Sequence, residues 1–176
     1  MHALVGEIGL TLDETGSAPS FDELVLRHQQ RVLRTAYRLL GRVEDAQDAA
    51  QEVFLRLLKN LHRIDRDPQA WLYRVTVNVC NDHFRRLTIF PGEAPREHAD
   101  PGPGPDGLLA LEERKRLLMQ GLQTLPERER AAVVLRDIEG LPTREVAAIL
   151  GVEEVTVRSQ VSTARLKLAK HVRRMS

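Results

Sequence analysis

Cysteine is nearly missing from this chain: one, Cys80, stands among 176 residues. A disulfide framework is therefore excluded, and so is any site that needs several thiolates. A reducing compartment fits that composition. The six histidines (His2, His28, His62, His83, His98 and His171) show neither helical metal spacing nor a His-Glu-x-x-His pattern. No metal or other cofactor is expected. Also lacking are G-x-S-x-G, G-x-x-x-x-G-K-[ST] and G-x-G-x-x-G. Carboxylates are plentiful, but they lie among basic residues on apparent helix faces, the ordinary solvated pattern. No enzymatic activity is expected. No apolar run approaches the ~18 residues of a membrane span. The N-terminus has no basic leading region and meets Glu7 early, which does not match a secretory signal. The expected location is the cytoplasm, without membrane insertion. An excess of one charge is missing too. Lys+Arg is 26 against Asp+Glu 25, a formal net charge of +1. As a total, that balance argues against nucleic-acid binding.

Proline is concentrated in one place. Five of nine prolines (Pro91, Pro95, Pro101, Pro103 and Pro105) fall within 15 residues, with Gly92, Gly102, Gly104 and Gly107 among or beside them. Such a stretch cannot hold a helix and lacks the apolar residues for a core. Residues 88–107 read as a flexible linker, and residues 1–18 as a disordered tail. Helical periodicity fills the rest. From Phe21 to Leu40, apolar residues recur at Leu24, Val32, Ala36, Leu39 and Leu40, and Gly41 stops that helix. A second helix runs from Val43 to about Leu61, with Ala46, Ala50, Val53, Phe54, Leu57, Leu58 and Leu61 on its apolar side. Pro68 suits the first turn of a third, ending near Leu87. After the linker come a helix over Leu109–Leu122 and another over Glu127–Ile138. The latter is opened by Pro126, with Glu127 and Glu129 in its first turn. No strand pattern occurs. The expected fold is all-α: two small helical domains, 19–87 and 108–176, joined by a flexible Pro/Gly-rich linker.

Residues 143–162 carry the spacing of a helix-turn-helix. A short helix ends at Leu150, Gly151 permits the positive φ of a tight turn, and a longer helix starts near Glu153. Ala147 is small where the two helices approach, and Val157, Val161, Ala164 and Leu168 form the inward stripe. A plain αα-hairpin is the alternative, and charge weighs against it. From Val155 to Ser176 there are six basic residues (Arg158, Arg165, Lys167, Lys170, Arg173, Arg174) and no acid. Such a face suits phosphates and groove entry. The first turns of the second helix would reach base edges, with candidates Thr156, Arg158, Ser159, Gln160 and Thr163; Arg and Gln read purine edges bidentately. Arg165 and Lys167 lie further along and are assigned to phosphates.

The stretch from Trp71 to Arg86 is unusual. Trp71, Arg74, Asn78, Asn81, Asp82 and Arg85 fall within an arc of about 100°, next to an apolar arc of Leu72, Val75 and Val79. One stripe thus combines an aromatic ring, two guanidinium groups and two amides, the chemistry of a splayed-base binder. A salt-bridged surface helix with Trp71 in the core is the other reading, and the sequence leaves the place of Trp71 open. All seven aromatics precede residue 91. A second domain without rings has no stacking platform, so it should read duplex, and any unpaired base must be held by the first.

Those residues resemble the extracytoplasmic-function (ECF) group of bacterial RNA polymerase sigma factors, within the sigma-70 family. The resemblance covers nearly all of residues 21–173. Its carriers are Glu44–Phe54; Trp71-Leu-Tyr-Arg74 with Asn78, Asp82, Arg85 and Arg86; Leu125-Pro126-Glu-Arg-Glu-Arg130; and the helix-turn-helix. The resemblance implies a subunit that binds core polymerase, at the clamp helices of its largest subunit and at its flap, and that directs initiation at promoters. Asp45, Asp48 and Glu52 at i, i+3, i+7, with Gln51 and Phe54 beside them, would then face the clamp; an acidic stripe suits a basic partner surface. Trp71, Arg74, Asn78, Asp82, Arg85 and Arg86 would recognise and open the −10 element. Thr156, Arg158, Ser159, Gln160, Thr163, Arg165 and Lys167 would read the −35 element. The linker would run through polymerase, and an anti-sigma protein is an expected partner.

One departure concerns the recognition helix, where the family commonly carries Ser-Arg-x-x-Arg-Ala-Arg. This chain has Ser159-Gln160-Val161-Ser162-Thr163-Ala164-Arg165, so two basic positions are Gln160 and Thr163. That implies fewer phosphate or guanine contacts. Other classes fit less well. A stand-alone helix-turn-helix dimer on a palindrome leaves the acidic stripe and the Trp71–Arg86 face without a job. A nucleic-acid enzyme would need a metal-carboxylate cluster or an activated nucleophile. The charge total also dissolves on inspection. Residues 1–20 carry −3 and residues 88–112 carry −4, while 21–87 hold 12 basic against 9 acidic residues and 113–176 hold 13 against 8. A basic duplex reader is masked by an acidic tail and linker, which implies weak DNA binding by the free chain.

Overall fold

The computed structural model describes residues 19–64, 68–89 and 106–175. All regular structure among them is helical: α1 (Phe21–Leu40), α2 (Val43–Asn60), a 3₁₀ turn (Leu61–Arg63), α3 (Gln69–Ile89), α4 (Asp106–Thr124), α5 (Glu127–Val133), a π turn (Val134–Ile138), α6 (Thr143–Leu150) and α7 (Glu154–Met175). The expected tail and residues 90–105 of the expected linker lie outside the described residues. Helix covers residues 88, 89, 106 and 107, which the sequence reading gave to the linker. Pro91 and Pro105 explain the difference, because they are the first and last prolines of that stretch and helix is barred only from about there.

Helix α1 starts with a capping box. The Glu23 amide donates to Ser20 Oγ, and the Ser20 amide donates to the Glu23 carboxylate. It ends at Gly41, whose φ of 78° is left-handed. A Cβ there would stand 2.6 Å from the Gln123 side chain of α4, which would have to shift. Helix α2 buries Ala46, Ala49, Val53 and Leu57 against α1 and α3. Leu58, expected on that apolar side, is 51% exposed. It lies 100° round the helix from Leu57, and only one of the two can face inward.

Helix α3 is the central element. Leu72, Tyr73, Val75, Thr76, Val77, Val79 and Cys80 are all buried. The sequence reading placed only Leu72, Val75 and Val79 on its apolar arc. The wider burial follows from packing on more sides: α1 and α2 cover part of α3, and α6 covers another part. Burial pushes the Cys80 thiol up to about 12.

In the second half, α7 packs on α4, α5 and α6. The helix expected over Glu127–Ile138 is α-helical only to Val133, then widens into the π turn, where the Glu139 amide donates to the Val134 carbonyl at 2.9 Å. Gly151 takes a φ of 66°, and nothing lies within 4 Å of where its Cβ would be. The backbone conformation of the turn, not space, asks for glycine there.

The two sets of helices share one contiguous core. Arg130 stands at their junction, 6% exposed. Its guanidinium donates to the carbonyls of Leu122 (2.8 Å), Leu125 (2.8 Å) and Gln123 (3.3 Å) in its own half. A fourth bond reaches Leu39 O in α1 at 2.7 Å. Phe84 lies 4.7 Å below it. The carbonyl ends of α1 and α4 therefore converge on one buried cation. That satisfies orphan acceptors and offsets the negative ends of both helices.

Candidate nucleic-acid interface

Helix α7 presents the base-edge candidates unevenly. Arg158 and Ser159 are exposed, while Thr156, Gln160 and Thr163 are half-buried. The Gln160 side-chain oxygen is buried without a hydrogen-bond partner. Val157, Val161 and Ala164 face the core as the stripe requires. Three of the cations already have partners. Arg158 donates to Glu154 at 2.9 Å, one turn back. Arg165 clamps Asp137 with two bonds of 2.7 Å. Lys167 meets both oxygens of Glu129, at 2.9 and 2.8 Å. The hydrogen bond from Arg165 holds the Asp137 carboxyl below its usual range, and the same bond raises Arg165. These pairs tie α7 to the π turn and α5. The sequence reading treated Arg165 and Lys167 as free for phosphates; their carboxylate partners lie 28 and 38 residues away in sequence, where no local pattern reveals them.

On α3, Arg74, Asn78, Arg85 and Arg86 are exposed, and Asn81 and Asp82 are half-buried. Asp82 lies 3.7 Å from Arg85 and 4.0 Å from Arg56. Trp71 is half-buried and packs on the core, so one part of the ring is fixed and another is accessible. Arg74, Asn78, Arg85 and Arg86 thus stand exposed on a helix whose other faces are buried. Rigid support is what a base-holding site needs.

The α2 candidates split. Asp48 and Gln51 are exposed, Glu52 pairs with Arg56 at 2.8 Å, and Phe54 is half-buried against the core. Asp45 is turned inward: its carboxylate is 16% exposed, 3.4 Å from His83 and 3.7 Å from Arg42. Exposed Leu55 and Leu58 continue the Asp48–Gln51 face. The sequence reading missed Leu55 altogether.

The structure also brings α3 against the first helix of the helix-turn-helix. Arg74 of α3 donates to the Ala148 carbonyl of α6 at 3.2 Å. No group of three or more His, Cys, Asp or Glu among the described residues could hold a metal, and no helix among them is long and apolar enough to cross a membrane.

Comparison with known proteins matches this layout. Residues 24–88 fit the family model described as Sigma-70 region 2, and residues 115–168 fit Sigma-70, region 4. Similar proteins include the ECF RNA polymerase sigma factor SigE of Mycolicibacterium smegmatis. It is 38% identical over 172 residues, covering 90% of this chain and 66% of that protein, so this chain spans just under two thirds of its length. The ECF RNA polymerase sigma factor SigM of Mycobacterium tuberculosis is also 38% identical, over 88% of this chain and 78% of that protein. Among solved structures, the sigma factor RpoE of Bartonella quintana, crystallised with the anti-sigma factor NepR, superposes with a TM-score of 0.70. It shares 22% identity and covers 87% of this chain and 96% of that one, a likeness of fold.

Proposed function

The chain belongs to the sigma-70 family, in the ECF group of RNA polymerase sigma factors, and on that premise we propose that it directs core polymerase to promoters by reading a −35 element with α7 and a −10 element with α3. The observation that carries this reading is the exposed row Arg74, Asn78, Arg85 and Arg86 beside half-buried Trp71, on a helix packed on several sides. Exposed amides and guanidinium groups next to a ring suit unpaired bases. In α7, Arg158 and Ser159 stand where a recognition helix meets base edges. Arg165 and Lys167 meet phosphates with the N–H donors that Asp137 and Glu129 leave free.

The α2 face made by Asp48, Gln51, Leu55 and Leu58 docks on the polymerase clamp, and the second half meets the flap. Acid steers and leucine anchors such a contact. Phosphodiester chemistry belongs to polymerase, and the chain itself performs no catalysis. It works in the cytoplasm, where polymerase is, and an anti-sigma protein holds it there.

The test is reconstitution with core polymerase on a promoter library. Transcription from a distinct promoter class is expected; none above core alone overturns the reading. Asn78→Ala should slow promoter opening and spare polymerase binding. Loss of polymerase binding in that variant would reassign the α3 face.

A further inference from the structure

We propose that the cleft between the end of α4 and the last turns of α7 is a binding site for a short phosphate chain, the pyrophosphate or triphosphate end of a free nucleotide. The residues that grip the chain, Lys170, His171 and Arg174, have no part in the promoter reading above.

The cleft has a volume of about 240 Å³ and is lined by Thr124 of α4 and by Lys167, Lys170, His171 and Arg174 of α7. No acidic residue lines it. The i, i+3, i+4, i+7 spacing puts the four basic types on one side of α7. Gly121 lets that side lie close to α4, since a Cβ there would meet Leu168 at 2.9 Å and the His171 ring at 3.2 Å. Lys167 is held by Glu129. Lys170 and Arg174 are exposed, and neither has a carboxylate partner among the described residues. His171 Nε2 is enclosed without a hydrogen-bond partner, which costs free energy until an acceptor arrives. These cations are not needed to cap α4, because its last carbonyls are taken. Thr124 Oγ1 donates to Gly121 O at 2.7 Å, and the Arg130 guanidinium donates to Leu122 O and Gln123 O.

Size and shape choose among anions. At ~30 Å³ per water of the liquid, the cleft holds roughly eight waters' worth. That is more than one phosphate group needs, and less than the ~300 Å³ at which pockets enclose a whole small molecule. A chain of two or three phosphates fits inside, with any nucleoside left outside. Arg174 offers a planar fork to two oxygens of one phosphate, and Lys170 a point charge to the next. Position argues against promoter DNA as the source of the phosphate. At 100° per residue, Lys170, His171 and Arg174 centre about 180° round α7 from Arg158 and Arg165. Lys170 also lies about 18 Å further along the axis than Arg158. A helix that seats Arg158 in a groove carries this cleft on its far flank.

The test is calorimetric titration of the full chain with pyrophosphate, and with ATP, orthophosphate and sulfate at matched ionic strength. Pyrophosphate and ATP should each saturate one site with similar affinity, and orthophosphate and sulfate should bind more weakly by about 10-fold or more. Lys170→Ala and Arg174→Ala should each weaken pyrophosphate binding by about 10-fold, the contribution of one hydrogen bond to a charged group. Arg173→Ala removes the same charge on the outward side of α7 and should change the affinity by less than about 2-fold. All three side chains are exposed, so the fold should survive, and circular dichroism checks it. Equal losses from Arg173→Ala and Arg174→Ala would reduce the attraction to general charge and overturn the site. Pyrophosphate binding no tighter than sulfate would overturn it as well. If Lys170→Ala weakens binding to a −35 duplex while the parent shows no saturable pyrophosphate binding, the site is overturned and the cleft passes to DNA phosphates. Promoter-specific transcription by the reconstituted polymerase is a separate readout, so failure of the cleft leaves the promoter reading standing.

Discussion

All seven Phe, Tyr and Trp rings of the chain precede residue 91, and the larger apolar side chains of the second half are Leu, Val, Ile, Ala and Met. Both halves bury their helices well, yet they offer DNA different chemistry. The first half sets Trp71 and a row of largely exposed polar groups on α3, a surface for stacking. The second half presents hydrogen-bonding side chains on α7, two of whose cations are anchored to carboxylates on other segments. On the proposed reading, one half would hold an unpaired base and the other would meet groove edges. The comparison also has a mechanical side. The first half contributes donors and the carbonyls of Arg38 and Leu39 to the contact, while the second contributes Glu139, Gln123 and Arg130, which reach across to them.

The largest expected effect asks whether the two halves are separable. Leu57 of the first half and Leu122 of the second are both fully buried in the shared core. Leu57→Ala and Leu122→Ala should each cost about 2–5 kcal/mol in urea unfolding. Trp71, the one tryptophan, reports the first half; far-UV circular dichroism reports all helices. If the core is shared, Leu122→Ala shifts both transitions together. A Trp71 transition that ignores Leu122→Ala would divide the molecule into two independent folding units.

A smaller effect compares two arginines on α7. Arg158→Ala should weaken −35 binding by about 1–3 kcal/mol and relax preference at one base position. Arg165→Ala should lower affinity uniformly across sequences and reduce the salt dependence. Competition binding of holoenzyme to a library of −35 duplexes separates the two patterns. A uniform loss from Arg158→Ala would make it a phosphate contact.

Much of this was legible because the signals are local. Gly41, Pro126 and Gly151 mark helix ends through φ alone, and the 3.6-residue period reports which face is apolar. The polar stripe on α3 was legible for the same reason. What was not legible is long-range. Glu139 meets Thr35 and Arg38 across 104 and 101 residues, and Arg130 reaches Leu39 across 91. Tyr73, Thr76 and Val77 look like ordinary flank positions until the neighbouring helices bury them. The π turn leaves no period of its own. Without it, Glu139 reads as one more solvated carboxylate.

The smallest effect concerns the bidentate Asp137–Arg165 pair of the second half. The hydrogen bond from Arg165 depresses the Asp137 carboxyl in the folded chain. A depressed carboxylate contributes stability that is fully present above the ordinary Asp value of about 3.9 and fades as pH falls through the lower folded value. Asp137→Asn should therefore be less stable than the parent at pH 7, by less than about 1 kcal/mol, because Arg165 is exposed and the pair is screened. The deficit should persist at pH 5 and shrink only in strong acid. Urea midpoints at pH 7, 5 and 3 measure it. Because the core is shared, the shift should be visible through Trp71 although Asp137 lies in the other half; a shift seen by circular dichroism alone would again divide the two.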